Sequence, residues 1–298
     1  VSFGEILAGS PPLWSGTALL IGLLVGSFLN VVIHRLPKML ERDWRAQCAE
    51  LEGRAPAPAA ERYNLVVPRS ACPACRAPIR ARHNIPVISW LLLRGRCAAC
   101  GTRISARYPL VELSSGLLSA AVAWNFGFGW PAFCAIAITW MLIACTFIDI
   151  DTQLLPDNLT LLLLWLGLAA SLFAPATGGA SLPVDPRTSL IGAIAGYASL
   201  WSVYQLFRLA TGKEGMGYGD FKLLAAFGAW LGWQMLLPIV LMSACVGAAV
   251  GIALILVRGR ERSAPMAFGP YLAAAGWIVM MFGPQIVAKY LSVAGLQR

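Results

Sequence analysis

Several long apolar runs, each near the roughly 20 residues a helix needs to cross a bilayer, decide the class of this chain. The first extends from Leu13 to Ile33. Seven more follow at about 110–126, 131–148, 158–174, 188–207, 221–232, 235–257 and 266–288. A soluble domain of 298 residues buries a core without needing so many such runs. Composition agrees: 58% of residues are hydrophobic and 12% charged, about half the usual charged share. The expected fold is an all-α polytopic membrane protein with about eight transmembrane helices. The sixth is short enough to be partly re-entrant. Leu13–Ile33 has no positive segment before it and no small-residue cleavage pattern, so it is expected to be a retained helix.

Charge gives the orientation. Net charge is +9, and His34–Pro109 alone holds 14 Lys and Arg against 5 Asp and Glu, the whole excess. A basic excess can signal nucleic acid, but here it lies between membrane spans. The positive-inside rule accounts for it, and no nucleic-acid partner is expected. With that segment cytoplasmic, the basic loops Arg208–Lys222 and Arg258–Arg262 fall on the same face. The Pro- and Gly-rich stretch Pro175–Arg187 falls outside. The sequence divides into 1–33 with the first span, a cytoplasmic insert at 34–109, and a membrane core at 110–298. Within the insert, a short helix is expected near Glu41–Glu52 and a flexible link at Ala55–Ala60.

The insert carries Cys72-Pro-Ala-Cys75 and Cys97-Ala-Ala-Cys100, with 21 residues between the pairs. Two residues between thiolates let one tight turn aim both sulfurs at one ion, and two such turns complete a tetrahedron. Disulfides are the competing reading, and a reducing cytoplasm disfavours them. Cys72, Cys75, Cys97 and Cys100 are therefore expected to hold a structural zinc. With every position filled by sulfur, no site remains for a catalytic water. Cys48, Cys134, Cys145 and Cys245 lack such spacing and read as small hydrophobes.

Acids at span edges are the remaining chemistry. Asp149, Asp151 and Asp157 cluster at the end of the third span, and Gly217-Tyr218-Gly219-Asp220 precedes the sixth on the same inferred face. Asp149 and Asp151 project in roughly opposite directions on a helix, so at most one faces a partner. Asp157, between Pro156 and Asn158, suits a helix cap. The glycines permit close backbone approach, and a terminal carboxylate argues against a phosphate cradle. Two acids held close cannot both ionise, so the pair holds one proton. One partner can then activate water while the other protonates a peptide carbonyl. No Ser–His pairing competes, since His34 and His83 both lie in the insert. A proton or cation transporter would also use intramembrane acids, but it favours the bilayer midplane and repeated broken helices.

The sequence closely resembles the type IV prepilin peptidases, also called prepilin leader peptidase/N-methyltransferases. The resemblance covers essentially the whole chain. It rests on Gly26–Pro37, Asn84–Trp90, Leu93–Cys97, Arg107–Glu112, Asp149–Asp157 and the Gly-x-Gly-Asp at 217–220. It implies a bacterial inner-membrane aspartic endopeptidase. Its expected substrates are type IV prepilins and type II secretion pseudopilins, whose basic leaders are cut on the cytoplasmic side after a glycine. It also implies N-methylation of the new N-terminus with S-adenosylmethionine. The family spacing, an acid seven residues before a proline, maps onto Asp149 and Pro156. The second acid maps onto Asp220. For the methyl donor no Gly-x-Gly-x-x-Gly pattern is present, and Glu112 and Asn30 are the edge-of-span candidates. Hydrogen bonding between helices explains those two equally well. Glu112, Asp151, Asp157 and Glu214 are the acids expected to offset the positive insert near a basic leader.

Overall fold

A computed structural model of the chain describes residues 3–53, 62–80, 83–174, 182–258 and 266–293. The expected link at Ala55–Ala60 lies outside the described residues, as do most of 175–187 and 259–262. Two compact units are present, Val1–Phe128 and Gly129–Arg298. The sequence division began the membrane core at 110, whereas the compact units divide after Phe128 because the helix at 107–126 packs on the first long helix.

The first unit contains α1 (Phe3–Gly9), α2 (Pro11–Leu51), α3 (Ile88–Leu92) and α4 (Arg107–Phe126). Pro11 and Pro12 open α2 where missing amides cost nothing. At 1.5 Å per residue its 41 residues reach about twice the thickness of a bilayer core. The separate helix expected at Glu41–Glu52 is instead the end of α2, which runs through Pro37 without a break. A proline removes one helical hydrogen bond, and Arg35 braces this region. Its guanidinium donates to the carbonyls of Asn64 (2.9 Å) and Pro68 (2.6 Å). Tyr63 packs under Arg42, 4.2 Å from ring centroid to guanidinium.

Small residues let α4 lie close to α2. A Cβ on Gly22 would stand 2.7 Å from the Ser115 carbonyl oxygen, and one on Gly26 would stand 2.7 Å from Glu112 Cα. Ser115 Oγ donates to the Gly22 carbonyl at 2.7 Å. In lipid, where apolar contact gives no preference for another helix, such close packing and hydrogen bonding drive association.

The second unit contains α5 (Trp130–Thr152), α6 (Asp157–Ser171), α7 (Pro186–Thr211), α8 (Tyr218–Leu231), α9 (Leu236–Arg258) and α10 (Gly269–Val293). Asp185 caps α7 by accepting the Arg187 and Thr188 amides, each at 3.1 Å. Gly212 ends it in the left-handed conformation, with φ of 69°. Among the described residues, five segments are long and apolar enough to cross a membrane: α2, α5, α7, Trp233–Val257 and Gly269–Lys289. The other expected spans are helical too, but α4, α6 and α8 fall outside that set.

The 14 residues of α8 extend about 21 Å, less than the roughly 30 Å of a hydrocarbon core. It is instead enclosed by protein, packed by α6, α7 and α10 and buried continuously from Leu223 to Trp230. Trp230 Nε1 donates to the Leu163 carbonyl at 2.9 Å, and Ser189 Oγ donates to that of Ala229 at 2.7 Å. Gly192 of α7 and Gly228 of α8 meet backbone to backbone, and a Cβ on either would fall on the other's carbonyl. Gly192→Ala is expected to destabilise the unit by about 1–3 kcal/mol through overpacking. Gly16→Ala, where a Cβ meets nothing within 4 Å, should not. Thermal unfolding in detergent compares them, and equal melting points would refute so close a crossing.

Candidate active site and cysteine cluster

Asp149 stands in the last turn of α5, and Asp220 in the first turn of α8. Both are buried, 4% and 7% exposed. Oδ2 of Asp149 and Oδ1 of Asp220 have no hydrogen-bond partner among the described residues. Buried polar atoms are normally matched, so an unmatched pair of acids is a costly arrangement that needs a reason.

Glycine and Leu155 bring the acids together. After α5 ends at Gln153 in a left-handed conformation, Leu154-Leu155-Pro156 leads into α6. The Leu155 side chain is buried against Gly219, where an added Cβ would lie 2.6 Å from its own. It also touches Gly269 at the start of α10. A Cβ on Gly269 would lie 3.1 Å from Leu155 Cδ1 and 2.5 Å from Asp149 Oδ2. Three helix ends thus meet over one leucine, and bare backbone lies beside each acid.

The other acids of the first cluster have different surroundings. Asp151 is exposed. Asp157 is the first residue of α6 rather than its cap, because Pro156 occupies the cap position. Its carboxylate pairs with Lys222 Nζ at 2.6 Å, tying the start of α6 to that of α8. Of the three acids in the first cluster, Asp149 is the buried one. Sequence reasoning passed over Leu155 and Gly269. The Gly269-Pro270 dipeptide opening α10 was the available signal, a turn marker beside a span.

In the first unit the four cysteine sulfurs lie within 4.8 Å of one another. Each CxxC sits on the same turn. Cys72 N donates to the Ala77 carbonyl (3.0 Å) and Arg76 N to that of Cys72 (2.9 Å). Cys97 N donates to that of Thr102 (2.8 Å) and Gly101 N to that of Cys97 (2.9 Å). Arg76 and Gly101, at φ of 57° and 71°, complete the matching turns. Cys72 Sγ and Cys100 Sγ are 3.8 Å apart, close to the edge of about 3.8 Å in a tetrahedron of 2.3 Å zinc–sulfur bonds.

The thiols are prepared unevenly. The Thr102 hydroxyl and amide bring Cys100 down to about 6. The Cys75 and Ala74 amides lower Cys72. At Cys75 the Ala77 amide pulls downward, but Cys100 and the other neighbouring thiols, with burial, push it up to about 11. Four thiolates so close need a cation to ionise together, and the donor set suits a soft tetrahedral metal.

Glu112 and Asn30 are both committed to backbone. Glu112 Oε2 accepts the Val87 amide at 2.7 Å, and Asn30 Nδ2 donates to the Tyr108 carbonyl at 3.1 Å. Asn30 thus makes a hydrogen bond from α2 to α4, whereas Glu112 holds the amide of Val87, the residue before α3.

Two families match successive parts of the chain. The Bacterial Peptidase A24 N-terminal domain matches residues 20–126, and the Type IV leader peptidase family matches 136–252. The break between them falls where the compact units divide. The chain is 53% identical over 292 residues to a prepilin leader peptidase/N-methyltransferase of Stutzerimonas stutzeri, covering 98% of this chain and 99% of that one. A protein of the same name from Pseudomonas aeruginosa is 53% identical, with 98% and 99% covered. One from Aeromonas salmonicida is 54% identical, with 97% of each covered. No solved structure matches the chain.

Proposed function

Since the chain belongs to the type IV leader peptidase family, we propose a division of labour for its two activities, prepilin leader cleavage and N-methylation, in which Asp149 and Asp220 make the cut. The observation that carries this is the unmatched carboxyl oxygen on each of two buried aspartates, beside two glycines that both pack on Leu155.

The pair shares one proton. Its ionised member takes a proton from water, and the water oxygen attacks the scissile carbonyl. The protonated member donates to the carbonyl oxygen. Collapse of the tetrahedral intermediate breaks the C–N bond as a proton passes to the leaving amine. Burial keeps bulk water from screening the charge of the ionised member.

The substrate reading follows the family and the charge pattern. Prepilins and pseudopilins present a basic leader at the cytoplasmic face and keep an apolar helix in the bilayer, and the leader is cut after glycine. The positive-inside rule, applied to the basic loops, supports the same face for both acids. Glu214, exposed on the loop before α8, is available to a basic leader. S-adenosylmethionine supplies the methyl group for the new N-terminal amine.

Cys72, Cys75, Cys97 and Cys100 hold zinc as a structural ion, since no coordination position stays open. Metal analysis is expected to find about one zinc per chain. Chelation should expose the segment around 69–103 to proteolysis. Metal-free protein with all four thiols reduced and the segment still protected would overturn this assignment.

Incubating purified protein with a prepilin and labelled S-adenosylmethionine tests the whole proposal. Mass spectrometry should show a product lacking its leader and carrying one added methyl group. An intact prepilin would refute the peptidase reading, and an unlabelled mature product would refute the methyl-donor assignment.

A further inference from the structure

The short helix α3 carries its polarity the wrong way round for a surface in water. Its Ser89 is buried, whereas Ile88, Leu91 and Leu92, with Ile85 just before the helix, are from 46% to 78% exposed. Soluble surfaces rarely gather so many large apolar side chains without a partner.

Two hydrogen bonds fix the depth of α3. The Val87 amide at its start donates to Glu112 Oε2 at 2.7 Å, and Trp90 Nε1 donates to the Ile104 carbonyl at 3.2 Å. Glu112 in turn packs on α2 at Gly26, seven residues before the apolar run ends at Ile33, about 10 Å inside that run. Near the start of α4, the Tyr108 carbonyl accepts from Asn30, still within the run. The start of α3 is therefore held one glutamate length from a point inside the membrane-spanning stretch, close to the level where α2 leaves it. Val87 takes φ of 59°, costly for a β-branched residue, and the Glu112 bond holds that turn.

Charge fits the same surface. From His83 to Val111 the sequence has four arginines, Arg94, Arg96, Arg103 and Arg107, and no Asp or Glu. Arg94 and Arg96 follow α3 directly and are exposed. Apolar side chains flanked by arginines suit a segment lying between headgroups and acyl chains. We propose that α3 is an interfacial anchor in the leaflet that faces the insert. Ile85, Ile88, Leu91 and Leu92 lie among acyl chains, and Arg94 and Arg96 meet the phosphates of anionic lipids. The contact continues the lipid-facing surface of α2. It also holds the cysteine cluster, whose second CxxC begins at Cys97, against the membrane.

Photocrosslinking in the full chain tests the anchor. Leu92→p-benzoylphenylalanine alters an exposed position and should leave the fold intact. The protein is reconstituted in vesicles of phosphatidylethanolamine and phosphatidylglycerol, irradiated and digested, and lipid adducts are measured by mass spectrometry. Leu51→p-benzoylphenylalanine is the control. Leu51 is 88% exposed but lies 18 residues beyond Ile33, about 27 Å further along α2. Leu92 is expected to give about tenfold more lipid adduct than Leu51. Equal yields would overturn the anchor. An adduct at Leu92 to added prepilin or to a second copy of the chain, in place of lipid, would overturn it in favour of a protein partner. Exchanging phosphatidylglycerol for phosphatidylcholine should lower the Leu92 adduct several-fold. An unchanged yield would overturn the phosphate contacts.

Discussion

Replacing either Asp149 or Asp220 with asparagine is expected to lower prepilin cleavage by roughly a thousandfold or more while leaving the protein folded. Asparagine matches aspartate in shape but can neither ionise nor pass an acidic proton. In the one-proton mechanism each acid is needed in a different protonation state, so either substitution removes an obligatory step. Folding should be spared, because neither unmatched oxygen makes a hydrogen bond that the change would break. The wild-type pH profile should be bell-shaped, with limbs that belong to the pair rather than to one residue. Cleavage within tenfold of wild type in either variant would remove the pair from the reaction.

The second large effect is expected from the glycines that frame the acids. A methyl group at Gly269 would stand 2.5 Å from Asp149 Oδ2, so either the carboxyl must turn or the start of α10 must shift. Gly269→Ala is expected to lose about 100-fold or more in kcat, since displacements near 1 Å cost that much in positioned catalysis. Gly219→Ala should also be severe, because its Cβ would meet the Leu155 Cβ at 2.6 Å. Gly217→Ala is the contrast. Its φ is −79°, and its Cβ would lie 3.8 Å from Asp220 Oδ2, an ordinary contact. It should stay within a few-fold of wild type. A reversed order, with Gly217 most sensitive, would show that the glycines serve the chain's flexibility rather than the spacing around the acids. Steady-state cleavage by the three purified variants decides the order.

The membrane class was legible because apolar length is a one-dimensional property. The cysteine cluster was legible because two CxxC turns constrain their own geometry. Residue chemistry alone left Asp149, Asp151 and Asp157 open, since nothing local says which way a helix end turns. Burial separates them in the structure, with Asp149 enclosed and Asp151 and Asp157 exposed. Gly269 and Leu155 were not legible in the same way. Leu155 looks like any apolar linker residue, and Gly269 is more than 100 residues from Asp149 in sequence. Their roles arise from three helix ends meeting, a long-range fact that no window along the chain contains. The unbroken run of α2 past Pro37 was missed for a related reason. The apolar run ends at Ile33, but the helix continues, and Arg35 binds carbonyls of Asn64 and Pro68, 29 and 33 residues later.

Single-turnover cleavage of a purified prepilin most directly tests Asp149 and Asp220 as one catalytic unit. The comparison takes in Asp149→Asn, Asp220→Asn, the double variant, and Asp151→Asn as the neighbouring exposed acid. Groups that act together fail together, so the first three should share one residual rate while Asp151→Asn cleaves like wild type. Cleavage retained by Asp149→Asn, or abolished in a folded Asp151→Asn, would contradict the account.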